Sequence, residues 1–417
     1  MIAAATSLVA FTTIGRQKGG GVQNHGTEAE LLEECDVFRV AGRVTVAGGT
    51  GKPMLRAFPS MVNLGNGELL AGYGISRDHH ATPGMGFMTT RSRDGGRTWS
   101  EALPLLALPG FHAFGCQGLM KCPDGSLLCS LARAYYPGWR QYRRVNFEKR
   151  GLPAMEPFPC DAWRDRRLQR ASLVRSFDKG NSWTPVNWDE PFEAFPGRFT
   201  SCHTTGEHGP HELSDGRWML GVEGMTIENH MLGGVVYSED RGVSWSPVQI
   251  IHDYPNVHAP EQKVVKLGGT RYLSYTRCDP KDILHGGWRY EENCVRFSLS
   301  EDDGRTWSEP WRSDFLGSGG PEMVRLRDGG FLCLYRDMDD SRPGLGVSHS
   351  SDECRTWRYL GRLCGRSAQD PWGWHGELGY PVAARLPDGL IFVVYYGPAT
   401  ADGNADVVGV YLEDRTG

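Results

Sequence analysis

An eight-residue pattern, Ser-x-Asp-x-Gly-x-Ser/Thr-Trp, recurs at a wide and irregular period along this 417-residue chain, beginning at Ser92, Ser176, Ser238, Ser300 and Ser350. The copy Ser300-Glu301-Asp302-Asp303-Gly304-Arg305-Thr306-Trp307 is complete, and only the last copy departs, with Cys354 in the glycine position. Short Asp and Ser side chains bond backbone amides inside a tight turn, Gly accepts positive φ, and a Trp ring packs beneath the loop. The pattern predicts a turn between strands, and its residues serve folding before chemistry.

A second repeat interleaves with the first: an apolar strand, a glycine-centred turn and another apolar strand. It occurs six times, around Gly67, Gly125, Gly216, Gly268, Gly329 and Gly389, with flanks such as Leu386-Pro-Asp-Gly389-Leu-Ile391. These are hairpin signals. Six inner hairpins with five Trp-ended boxes between them describe four-stranded antiparallel modules that stack radially. The predicted fold is all-β, a six-bladed β-propeller in which a strand near residues 36–47 completes the last blade and ties the ends together.

Residues 1–30 contain no convincing strand and are expected to be a poorly ordered leader, with 31–417 as a single propeller domain. The long interval at 131–175 is a basic, aromatic insertion, Arg133 through Arg167, suited to a surface embellishment or subunit contact and, if it lines a site, to an anionic sugar. A net charge of -5 and 55 glycines describe a turn-rich globular chain with no signal for nucleic acid. The 11 cysteines lack metal-ligand spacing and are expected to be buried thiols. The apolar run at Met1–Gly15 lacks a basic leader and is too short to span a bilayer, which favours a cytoplasmic over a secreted location.

In such a fold the residues just ahead of each inner hairpin converge on the central channel. Those positions hold Arg56, His112, Gln117, His203, His208, His211, His258, Glu261, Glu322, His375, Glu377 and Tyr380, a polar ring that packing does not explain. A metal bound by its histidines is one alternative; hydrogen-bonded structural histidines are the ordinary one.

These repeats resemble the sialidase (neuraminidase) superfamily, six-bladed exo-glycosidases that cleave terminal sialic acids. Arg56-Ala-Phe-Pro59-Ser60 is similar to that family's first arginine motif with one residue inserted. Glu261 leading to Tyr275-Thr-Arg277 matches its Glu-then-Arg order, Arg342 lies where a third arginine precedes a box, and Tyr380-Pro-Val-Ala-Ala-Arg-Leu-Pro-Asp-Gly389 fits the frame of its tyrosine nucleophile. The resemblance implies Tyr380 as nucleophile, Glu261 as its base, and Arg56, Arg277 and Arg342 as a clamp for a substrate carboxylate. It implies Asp78 as the general acid, although Asp78 lies slightly early and His79 or His80 could take that place.

The residue types suit the chemistry. A carboxylate on the anomeric carbon repels a carboxylate nucleophile, whereas a neutral phenol activated by a glutamate can attack, and guanidinium groups bind carboxylates through paired hydrogen bonds. Each residue also has a bland reading: framework ion pairs for Arg277 and Arg342, a capped core tyrosine for Tyr380, a strand-start acid for Glu261. The expected function is release of a terminal acidic sugar with retention, from a carbohydrate substrate, without metal or cofactor. The alternatives are a propeller lyase acting on uronate-containing chains and a non-catalytic carbohydrate-binding propeller; a homo-oligomer is left open.

Overall fold

Each of the five boxes closes on itself through the same hydrogen bonds. In the Ser92 copy the serine hydroxyl donates to Asp94 Oδ1 at 2.8 Å, the Gly96 amide donates to Ser92 Oγ at 2.8 Å, and the Thr98 amide and hydroxyl donate to the two Asp94 oxygens at 2.9 and 2.6 Å. The Ser300 copy repeats this set at 2.9, 2.8, 2.8 and 2.6 Å. Donation from Thr98 holds the Asp94 carboxyl down at about 2, and donation from Ser182 does the same for Asp178. Cys354 occupies the glycine position at φ 67° and still delivers its amide to Ser350 Oγ at 2.9 Å, so the turn survives a residue that pays conformational strain there.

The computed structural model describes residues 31–49, 55–76, 86–105, 114–132, 172–186, 197–201, 208–226, 230–280, 292–339, 341–365, 378–398 and 405–417. The expected leader at 1–30, most of the insertion (133–171) and Asp78 lie outside them.

The strands form six antiparallel sheets arranged as a six-bladed propeller. An N-terminal strand β1 (Phe38–Ala47) comes first. Blade one is β2 (Leu55–Gly65), β3 (Glu68–Ser76), β4 (Gly86–Ser92) and β5 (Leu103–Pro104); blade two is β6 (Phe114–Lys121), β7 (Leu127–Ala132), β8 (Ser172–Ser176) and β9 (Thr184–Val186). In blade three, β10 (Gly197–Ser201) and β11 (His211–Glu212) both pair with β12 (Trp218–Thr226), followed by β13 (Met231–Ser238) and β14 (Gln249–His252). In blade four, β15 (Val257–His258) and β16 (Lys263–Gly268) both pair with β17 (Arg271–Pro280), followed by β18 (Cys294–Ser300) and β19 (Trp311–Arg312). Blade five is β20 (Gly317–Arg325), β21 (Phe331–Asp337), β22 (Gly344–Ser350) and β23 (Arg358–Gly365).

Blade six is β24 (Gly379–Arg385), β25 (Ile391–Tyr396) and β26 (Val407–Asp414), and its outermost strand is β1, paired antiparallel from Phe38↔Asp414 to Ala47↔Val407. The strand expected near residues 36–47 therefore closes the ring.

Apolar residues of neighbouring blades interlock around the circle. Leu55, Met61 and Phe392 pack between blades one and six; Leu334, Val347 and Val393 between five and six; Tyr275, Phe297 and Tyr335 between four and five. Met120, Leu220 and Val236 join blades two and three, Val62 and Leu127 blades one and two, and Met219 and Tyr272 blades three and four. Full burial of each such side chain stabilises by about 1.5–3 kcal/mol relative to exposure, and an apolar cluster lies at each of the six blade interfaces. Among the described residues eight cysteines are free thiols, seven of them buried.

One end of the inner strands is irregular, and that end carries the site. Register slips occur between Ala57 and Ser60, Ser318 and Glu322, and Gly379 and Val382. Phe58 and Tyr380 at two of these kinks adopt φ of 55° and 51°, Glu261 in the break between β15 and β16 adopts 61°, and blade five uses Gly319 and Gly320 at 68° and 65°. Bulges of this kind re-aim a side chain, and non-glycine residues in the left-handed region are strained and cluster at functional sites.

Candidate active site

Tyr380 and Glu261 occupy corresponding kinks in blades six and four, and the kinks turn them toward each other. The Tyr380 hydroxyl donates to Glu261 Oε1 at 2.7 Å, and Arg277 Nη1 donates to the same oxygen at 2.6 Å and to Tyr380 Oη at 3.1 Å. Tyr380 and Glu261 are buried, 8% and 4% exposed, and Arg277 is partly open, its side chain 17% exposed. Burial, and then the Glu261 carboxylate, push the Tyr380 phenol well above its ordinary value, with Arg277 and Arg336 opposing. The resting phenol is neutral with a carboxylate positioned to take its proton.

Partners outside this trio fix it. The Glu261 amide donates to Glu223 Oε2 at 2.5 Å, which anchors the kink to blade three. Glu261 Oε2 is buried without a hydrogen-bond partner among the described residues. Arg277 Nε donates to Asp279 Oδ2 at 2.6 Å; burial opposes its charge, but Asp279 and Glu261 outweigh that and hold it firmly protonated. Phe58 meets the Tyr380 ring edge-on at 4.8 Å, and Tyr396 stacks on it at 6.0 Å. Such contacts set the ring plane.

The structure thus brings together Tyr380, Glu261 and Arg277 of the residues singled out in the sequence. Arg56 enters along β2 two positions before Phe58 and pairs with Asp406 at 3.3 Å, its guanidinium lying against Gly49, where a Cβ would come within 2.4 Å of Nη2. Arg342 is held elsewhere: it lies 3.3 Å from carboxylate oxygens of both Asp337 and Asp339 and 4.1 Å over the Tyr359 ring.

The cation that stands over Tyr380 is Arg336, its guanidinium carbon 5.9 Å from the ring centroid, with Nε donating to the Leu378 carbonyl at 2.7 Å and Nη2 to Tyr396 Oη at 3.2 Å. Strand register could have found it. Tyr272 and Phe331 each pair with a box serine, and five residues further on lie Arg277 and Arg336. The same count from Trp218, paired with Ser238, reaches Glu223.

The histidines divide among separate partners. His208 Nε2 lies 3.3 Å from Glu322, His211 Nε2 lies 2.9 Å from the Val264 carbonyl, and His258 Nδ1 accepts from the Met231 amide at 3.1 Å. Burial depresses His211 to about 4, so it stays neutral. Among the described residues no group of three His, Cys, Asp or Glu side chains converges as a metal-binding set. His112, His203, His375 and Glu377 lie outside the described residues. A cleft of 540 Å³ lined by Arg296, Pro310, Trp311, Arg312 and Arg355 lies on the outer part of blade four and includes none of the trio.

Comparison with known proteins agrees with this architecture. A family model described as a BNR repeat-like domain matches residues 160–393. A sialidase of Micromonospora viridifaciens is 23% identical over 369 residues, covering 84% of this chain and 51% of that protein, so the chain spans about half the length of this relative. A Dyadobacter fermentans protein of unknown function superposes with a TM-score of 0.66 at 21% identity, covering 91% of this chain and 99% of that one. An α-L-arabinanase of Penicillium chrysogenum superposes with a TM-score of 0.57 at 15% identity, covering 91% and 98%.

Proposed function

This chain belongs to the BNR repeat-like family of sialidase-type propellers, and from that premise we propose that it is a retaining exo-glycoside hydrolase that releases a terminal acidic sugar such as a sialic acid. The observation that carries this reading is the trio of Tyr380, Glu261 and Arg277, in which a neutral phenol, a carboxylate and a guanidinium share one short hydrogen-bond network. Tyr380 Oη attacks the anomeric carbon as its proton passes to Glu261 Oε1, and the bond to the leaving oxygen breaks. A second acid protonates that oxygen, a role for which Asp78 is the proposed residue. Water then attacks the aryl glycoside intermediate as its proton passes to the now deprotonated Asp78, the phenol takes back its proton from Glu261, and two inversions give net retention.

Arginine placement supports an anionic substrate. Arg277 and Arg336 flank Tyr380, and Arg56 enters from the adjoining strand, so a carboxylate on the anomeric carbon would meet guanidinium groups where a carboxylate nucleophile would be repelled. In this reading Arg336 takes the place that spacing suggested for Arg342. A neutral arabinan chain would offer those guanidinium groups no anion to bind.

Replacing Tyr380 with Phe and following release of chromophore from an aryl sialoside tests the proposal, with a 2,3-difluorosialic acid expected to add covalently to Tyr380 of the unaltered protein. Near-normal turnover by Y380F would remove the reading, and a UV-absorbing unsaturated product would replace it with a lyase.

A further inference from the structure

Behind the trio lies a buried charge cluster that the proposed chemistry does not use. Lys263 and Glu322 are 2% and 1% exposed, and Lys263 Nζ donates to Glu322 Oε2 at 2.9 Å and to the Pro321 carbonyl at 3.0 Å. Glu322 Oε1 accepts from the Ala383 amide at 3.0 Å and lies 3.3 Å from His208 Nε2. His208 itself is 3% exposed and packs edge-on against Tyr275.

A buried ion pair is weak evidence for stability, because desolvating both charges can cost more than their attraction returns, and an apolar pair of similar volume is often as stable. A core position holding such a pair therefore invites a different explanation, and the connectivity supplies one. Lys263 is two residues beyond Glu261 on the same run of chain, and Ala383 is three residues beyond Tyr380 on β24. Blade five, between them, contributes neither member of the reacting pair. Its kink is made of Gly319 and Gly320, and the acid two residues after Gly320 is Glu322.

We propose that Glu322 is a positioning residue that spans blade five, holding the strand of Tyr380 through the Ala383 amide with one oxygen and the strand of Glu261 through Lys263 with the other, and so setting the distance between phenol and carboxylate. The proposal rests on the glycosidase reading for its catalytic consequence but not for its geometry. Tyr380 and Glu261 sit on left-handed kinks, and among the described residues no β-ladder joins blades four and six. A carboxylate is the side chain that can serve both attachments, accepting an amide proton on one oxygen and an ammonium on the other. A shift of about 1 Å between reacting groups is enough to cost about 100-fold in rate.

Two double variants separate positioning from packing. In E322L/K263M both charges leave together, so no member of the ion pair is stranded, but the Ala383 amide, His208 Nε2 and the Pro321 carbonyl lose their partners and Tm is expected to fall. In E322Q/K263M an amide oxygen remains to accept from Ala383. With an aryl sialoside, E322L/K263M is expected to lose about tenfold or more in kcat with KM little changed, and E322Q/K263M, which keeps the Ala383 attachment without the one to Lys263, to recover part of that loss. The activity-independent readout is the 13Cζ resonance of Tyr380 in tyrosine-labelled protein, assigned by its disappearance in Y380F. It should move in E322L/K263M and move less in E322Q/K263M.

If E322L/K263M does not fold, E322D, whose carboxylate is one methylene too short to make both contacts, is read in the same two ways and is expected to move the resonance. An unmoved Tyr380 resonance, or full kcat, in the folded leucine variant or in E322D would overturn the proposal. Absence of glycosidase activity in the unaltered protein would remove the catalytic reading alone, with the resonance still deciding whether Glu322 positions Tyr380.

Discussion

Tyr380 Oη and Glu261 Oε1 lie 2.7 Å apart although the residues are separated by 119 positions and belong to blades that share no ladder among the described residues. Both sit at positive φ, on kinks of equivalent inner strands. The two groups meet because the ring closes, and their contact is a consequence of tertiary structure acting on two local distortions.

E261Q tests the base. The amide keeps roughly the size and hydrogen-bonding capacity of the carboxylate but cannot take the phenolic proton, so kcat on an aryl sialoside is expected to fall by about 10²–10⁴-fold. Tm should change little, because Arg277 retains Asp279 as a partner at 2.6 Å. Normal kcat in a folded E261Q protein would count against general-base chemistry here.

Arg336 and Arg342 should separate cleanly. R336A removes the cation over Tyr380 and is expected to lower kcat/KM by about tenfold or more, the scale of a lost charge-assisted hydrogen bond. R342A leaves the trio intact and is expected to keep kcat/KM within about twofold while lowering Tm, because it strips Asp337 and Asp339 of a shared cation. Steady-state kinetics and thermal unfolding of the two variants check this, and the reverse pattern would restore Arg342 to the site.

Asp337 should make stability depend on pH. Burial raises its carboxyl to about 6, with the Asp339 amide and Arg342 opposing. An unfolded Asp titrates near about 3.9, so between those values the folded protein binds the extra proton. This group's contribution is therefore greatest at low pH and is lost as pH rises from about 4 through about 6. D337N should flatten that part of the Tm-against-pH curve. The box aspartates act with the opposite sign and lower down: Asp94 and Asp178, held at about 2, favour folding above about 4 and lose that contribution as pH falls toward 2.

D302A probes a box. It removes the acceptor for the Ser300 hydroxyl and for the Thr306 amide and hydroxyl, and should destabilise by about 2 kcal/mol. Activity should persist at temperatures where the protein stays folded. Ser300 pairs with Tyr272 at one end of the β17–β18 ladder, while Arg277 pairs with Val295 near the other.

Much of this molecule is legible along the chain. Box and hairpin chemistry is local, so consecutive residues such as Ser300 to Trp307 or Leu386 to Ile391 carry their own turn instructions, and counting them yields six blades. The sixth inner hairpin, around Gly389, has no box after it and so pointed to a closing strand, which β1 supplies. Other features depend on distance between blades. Arg342 has favourable spacing from a box, yet its side chain turns to Asp337 and Tyr359, because a turn beginning at Asp339 carries it away from the inner strands.

Arg336 has no motif of its own and emerges only when cross-strand register equates it with Arg277. Glu322 looks like one more strand acid until Lys263 and Ala383 arrive from either side. Repetition was written into short stretches because turns are made by neighbours. Which side chains face each other was left to ring closure, because hydrogen bonds between blades join residues that no local pattern connects.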